Sequence, residues 1–115
     1  MTLTSETCEA CRADSPKVTE EEIRELKPQI PEWEMTEVRS VPHLRRTFRF
    51  DGWMPAVRFV DALAELVEEQ DHHPVIRLEW GKLTVSWWTH AIDGLHRNDF
   101  IMAARTDEIY GKHSE

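Results

Sequence analysis

Between positions 68 and 99 the chain carries Glu68, His72, His73, His90 and Asp99. Imidazole titrates near pH 6.5, so neutral and protonated rings coexist around neutrality, and general acid–base catalysis needs that combination. Aromatic residues stand among them. The chain has five tryptophans, including Trp80, Trp87 and Trp88, and four of its six histidines fall between 72 and 96. Aromatic density beside clustered imidazoles suits a flat ligand, and it equally suits a well-filled core. Taken singly, each polar residue has a bland explanation. His72-His73-Pro74 stops a helix, His90 decorates a strand end, and Asp99 is a helix N-terminal carboxylate favoured by the dipole. Only a fold that gathers them makes a site.

The elements that would do so can be read from spacing. Thr19-Glu20-Glu21-Glu22 is a capping box, Ile23 and Leu26 follow at helical spacing, and Pro28 and Pro31 end the run; this predicts a short helix over 19–28. Residues 33–39 and 43–50 are expected to form a hairpin around Ser40-Val41-Pro42, with Leu44, Arg46, Phe48 and Phe50 on one face. Asp51-Gly52 breaks the strand. From Pro55, apolar Val57, Val60, Leu63, Ala64 and Val67 recur every three or four residues, an amphipathic helix to about residue 70. Phe59 and Leu66 widen its apolar sector, and a subunit interface is a natural use for that surplus.

Strands over 75–80 and 82–90 follow, turned at Gly81, with Trp88 and His90 on one face and Leu83, Val85 and Trp87 on the other. A last helix starts near Asn98, with Phe100, Ile101, Ala104 and Ile109 on its apolar side. The order αββαββα implies an α+β fold: a four-stranded antiparallel sheet with helices packed on one face. Antiparallel pairing of the last two strands returns His90 to the neighbourhood of His72 and His73. Asp99 reaches the same end of the sheet. Three imidazoles and a carboxylate then form a candidate acid–base pocket.

The chain has 115 residues and a formal charge of −8, room for one domain and no basic surplus to neutralise phosphates. Nucleic acid is therefore not an expected partner. No apolar run approaches the roughly 20 residues of a membrane span. The N-terminus lacks the pattern of a signal peptide, and two cysteines supply no disulfide framework, so a cytoplasmic location is expected. Residues 1–17 read as a flexible arm ahead of a single domain over 18–115, and deletion of residues 1–14 is expected to leave activity nearly intact.

The run Glu68-x3-His72-His73-Pro74-x5-Trp80-x9-His90-x8-Asp99 resembles, without a gap, the signature of the pterin-4a-carbinolamine dehydratases. Thr89-His90, Gly94-Leu95 and Asp99 resemble that family's second block. The resemblance implies dehydration of 4a-hydroxytetrahydrobiopterin to quinonoid dihydropterin, with no metal and no organic cofactor. It implies His72, His73, His90 and Asp99 as catalytic residues, and Glu68, His73, Pro74, Trp80 and Trp88 as substrate-binding ones. The family often has an aromatic two residues after the proline, where this chain has Ile76; Trp80 or Trp88 would then face the pterin. Phenylalanine hydroxylase, which releases the carbinolamine, is the implied functional partner, and a homodimer or homotetramer the expected assembly.

Two rivals stand beside this reading. Cys8 and Cys11 make half of a zinc ribbon, which two chains could pool into a four-cysteine site. A protein-binding regulatory module of the same fold is the other, since animal members of the resembled family also help a transcription factor dimerise.

Overall fold

The Thr19 capping box forms as its residue types dictate. The Glu22 amide donates to the Thr19 hydroxyl at 3.1 Å and the Thr19 amide to the Glu22 carboxylate at 3.0 Å. In this computed structural model, which describes residues 3–9 and 15–113, the helix it opens is α1, Glu20–Leu26. Pro28 then tightens the chain into a 3-10 turn, Lys27–Gln29. The remaining elements are β1 (Glu34–Val38), β2 (Val41–Arg49), α2 (Trp53–Gln70), β3 (Val75–Glu79), β4 (Lys82–Trp87) and α3 (Arg97–His113).

All strand pairs are antiparallel and the sheet order is β1-β2-β4-β3. The αββαββα order and the four-stranded antiparallel sheet are those expected from the sequence. Leu44 and Phe48 of β2 and Leu83, Val85 and Trp87 of β4 are buried with Phe59 and Leu63 of α2 and Phe100 and Met102 of α3. The alternate sheet positions Arg45, Thr47, Thr84 and Ser86 line a polar depression on the other side. Arg46 sits on the apolar face, where its guanidinium lies over the Phe48 ring and pairs with Asp107 at 2.7 Å. Burial holds the Asp107 carboxyl above its ordinary value, against the pull of its partners Trp33 and Arg46.

Four expectations need correction. The first hairpin is tighter than expected: Arg39 and Ser40 take φ of 53° and 67°, the left-handed pair of a two-residue turn, and Val38 faces Val41. Pro42 is tolerated inside β2 because it falls at the non-hydrogen-bonded pair with Glu37. Its nitrogen points beyond the end of the β4 ladder, which stops at Leu44 opposite Trp87.

The last strand is shorter than expected and ends at Trp87. Thr89 closes a bridge to Gly94, its amide donating to the Gly94 carbonyl at 2.9 Å, and His90–Ile92 become a 3-10 turn. His90 is therefore on a turn, not on the strand.

Phe59 and Leu66 do not form a spare apolar face. Both are buried within the chain, because the core wraps further around α2 than one sheet contact allows. The large apolar residues left exposed on this helix are Trp53 and Met54, in its first turn.

Residues 3–9 do not stand off as an arm. Leu3, 1% exposed, joins the core inside a 3-10 turn, a burial contributing roughly 1.5–3 kcal/mol. Glu6 accepts two hydrogen bonds from Arg97, both 2.8 Å. Sequence periodicity is blind to this because one leucine has no period. The Arg97 guanidinium holds the Glu6 carboxyl below its ordinary value of 4.5. A depressed carboxylate stabilises the fold above the unfolded value and ceases to do so as pH falls through the folded one. Glu6→Gln should therefore lower the urea midpoint at neutral pH. The gap from wild type should close as pH drops below 4.5. A gap independent of pH would mean the charge is not what holds this segment.

Candidate active site

Asp71 caps α2 in the left-handed conformation, φ 50°, and turns the chain so that His72-His73-Pro74 run extended into β3. The His72 amide still donates to Val67, which fixes where the first imidazole starts. Across the sheet Val75 pairs with Ser86, so this junction lies beside the end of β4 and the Thr89–Gly94 loop.

Asp99, in the first turn of α3, joins the two segments. It is 0% exposed, and an isolated buried carboxylate would be costly. Three donors satisfy it. One oxygen lies 2.7 Å from His72 Nε2; the other accepts from the Thr89 hydroxyl at 2.8 Å and the His96 amide at 2.9 Å. With the carboxylate accepting throughout, His72 donates from Nε2, and its orientation is fixed. The His72 ring also lies parallel to Trp87, centroids 5.6 Å apart. The Trp87 indole N–H is buried and has no acceptor among the described residues.

The other two expected imidazoles are open. His73, 58% exposed, lies 3.2 Å from the Glu68 carboxylate through Nε2. His90 is exposed and leans on the Trp88 ring, centroids 4.4 Å apart. One ring is pinned and two face outward, and Thr89 ties them to a single end of the sheet.

A fourth histidine belongs here that sequence reasoning missed. His43, in β2 opposite Thr36, stacks flat on Trp88 with centroids 3.9 Å apart and planes within 5°. Burial and the nearby Arg45 charge hold its imidazole below the ordinary value of 6.5. Only the β2–β4 register brings positions 43 and 88 together, and no local pattern at His43 announces it. Trp88 thus has one face covered by the His43 ring and carries His90 on its flank.

Trp80 is the expected site residue that the fold does not bring to the cluster. It is 74% exposed at the β3–β4 turn, where Gly81 with φ 78° reverses the chain. That turn is the far end of β3, about 17 Å from the histidines for five residues at roughly 3.3 Å each. A place in the sequence signature does not put a residue at the same end of a strand.

Among the described residues, no group of three or more His, Cys, Asp and Glu side chains could hold a metal ion. Cys11, half of the pooled four-cysteine idea, lies outside the described residues. No described helix is long and apolar enough to cross a membrane.

Fold and cluster together define a small α+β protein with a histidine–carboxylate cluster at one end of its sheet. The chain belongs to the pterin 4 alpha carbinolamine dehydratase family, whose model matches residues 16–109. It is 50% identical over 107 residues to a protein of Nitrosococcus oceani that carries the family's name, covering 93% of this chain and 95% of that one. A similarly named protein of Gloeobacter violaceus is 51% identical over 109 residues, covering 95% and 94%. Among solved structures, a transcriptional coactivator/pterin dehydratase from Brucella melitensis superposes with a TM-score of 0.75 at 27% identity, over 84% of this chain and all of that one. A pterin dehydratase-like protein identified as a RuBisCO assembly factor in the alpha-carboxysome gives 0.60 at 28%, over 69% and 89%.

Proposed function

We propose that this protein dehydrates 4a-hydroxytetrahydrobiopterin to quinonoid dihydropterin and water by histidine acid–base catalysis. The observation that carries the reading is one pinned and two open imidazoles at a single sheet end, in a member of this family. In the reaction the C4a–O bond breaks, the hydroxyl takes up a proton and leaves as water, N5 loses its proton, and a C4a=N5 double bond forms. One proton is delivered and one removed, so the catalyst ends as it began. Two imidazoles of opposite protonation can do both.

In this reading His90 and His73 are the proton-handling groups, because their rings are open to a ligand. His72 is oriented by Asp99, and its remaining nitrogen contacts the reacting C4a–N5 edge of the pterin, a contact that tightens in the transition state. Glu68 and Pro74 hold His73, and Trp88 steadies His90. The substrate source is phenylalanine hydroxylase, the site is in the cytoplasm, and the working form is a homodimer or homotetramer.

Formation of quinonoid dihydropterin from freshly generated carbinolamine, followed by absorbance with and without protein, tests the proposal. The expected result is an acceleration abolished by removing both His73 and His90. No acceleration by the wild type would overturn it. The structural relative described as an assembly factor favours a second reading, a protein-binding module on this fold. A catalytically dead variant that still performed the cellular role would support that alternative.

A further inference from the structure

Residues 3–9 lie outside the segment that the family model matches. The Leu3 amide bonds Gln29, but Glu6, Cys8 and Glu9 make polar contacts with the two elements that carry the site. The Cys8 amide donates to the Gln70 side chain at 2.8 Å, at the last residue of α2 and two residues before His72. Glu6 holds Arg97, the first residue of α3. Glu9 and Asn98 bond reciprocally. The Glu9 amide donates to Asn98 Oδ1 at 3.1 Å, and Asn98 Nδ2 donates to the Glu9 carbonyl at 2.7 Å. Asn98 immediately precedes Asp99.

His96 completes the connection. Its ring is buried, and Nδ1 accepts the Asn98 amide at 3.0 Å, so the ring proton sits on Nε2. That nitrogen lies 3.1 Å from the Glu9 carboxylate. The backbone amide of the same residue donates to Asp99 at 2.9 Å. The segment therefore grips the loop that supplies one of Asp99's three donors, and with Cys8 it grips the end of the helix that presents His72.

We infer that residues 3–9 are a strap joining the C-terminus of α2 to the N-terminus of α3. Glu6, Glu9, His96 and Asn98 are positioning residues for the His72–Asp99 pair. None of them touches the open imidazoles. The strap links the two helix ends beyond their direct packing, and it holds Asp99 in register with both His72 and Thr89. This rests on the proposed dehydratase reading for its consequence in turnover, but not for the geometry itself. It also reverses the expectation that the first residues are dispensable.

Deleting the segment would empty the seat of Leu3 and could unfold the chain, so point variants carry the test. Glu6→Ala/Glu9→Ala and Asn98→Ala leave Leu3 in place. Each should lower kcat by about tenfold with KM within about twofold, the pattern of a misplaced catalytic pair and not of a weakened binding surface. Glu6→Gln/Glu9→Gln, which keeps one acceptor for Arg97 and one for His96, should recover part of the loss. Independently of activity, the imidazole N–H proton of His72 in its 2.7 Å bond should give a slowly exchanging downfield NMR resonance in the wild type. It should broaden or vanish in the alanine variants and return in the glutamine one. Folded alanine variants with wild-type kcat and an intact resonance would overturn the strap while leaving the dehydratase reading untouched. An inactive wild type would overturn that reading, and the resonance would still decide the strap.

Discussion

Asp99→Asn should lower kcat by about 10²–10⁴-fold, up to the size of the loss when a catalytic histidine is deprived of the carboxylate that sets its tautomer. The substitution is nearly isosteric, but it changes what the buried group can accept. Asp99 takes hydrogen bonds from His72, the Thr89 hydroxyl and the His96 amide. An asparagine keeps one acceptor oxygen, and its amide nitrogen must face a donor. If the oxygen stays with Thr89 and His96, His72 meets an N–H and must move its proton to Nδ1, the nitrogen meant for the ligand. If the amide flips, two donors lose their acceptor. Either arrangement leaves a buried polar group unsatisfied and costs about 1–3 kcal/mol of stability. Urea denaturation should show a lower midpoint with an unchanged slope. Steady-state kinetics should put the loss mainly in kcat. Wild-type turnover in folded Asp99→Asn would remove the His72–Asp99 pair from the mechanism.

His90→Ala and His73→Ala should each reduce kcat by about 10²–10⁴-fold, the range typical for one acid–base group. Both side chains are exposed and neither supports the core, so thermal melting should hardly move. That separates them from Asp99, where function and stability fall together. The double variant should lose less than the product of the single losses, because one proton is delivered and one removed in a single unit of chemistry. His90→Ala also strips one flank of Trp88, leaving the indole against His43 alone. Losses in the two single variants that multiply fully would point to independent roles. Wild-type turnover in both would move the protein-binding reading ahead of the enzymatic one.

Much of this fold is legible in the amino-acid sequence itself. Thr19 with Glu22, the apolar spacing from Val57 to Val67, and Gly81 between two strand-like runs encode their elements locally. Capping, helical period and tight-turn chemistry act over a few residues. The signature from Glu68 to Asp99 likewise pointed to the family, because its spacing survives in sequence. Element order then follows, and with it the return of residue 90 towards residues 72 and 73.

What the tertiary structure decided depends on contacts between distant positions. His43 meets Trp88 only because β2 and β4 pair in one register, and a shift by one residue would turn it to the core. Trp80 left the site because a signature records order along the chain and not which end of a strand a residue occupies. Phe59 and Leu66 became core instead of interface, since the area that α3 covers on α2 is set by packing. Leu3 and Glu9 found seats on α3 that no local pattern could announce. A single buried leucine and a few hydrogen bonds to positions some ninety residues away have no period, and such contacts exist only once the helices are in place.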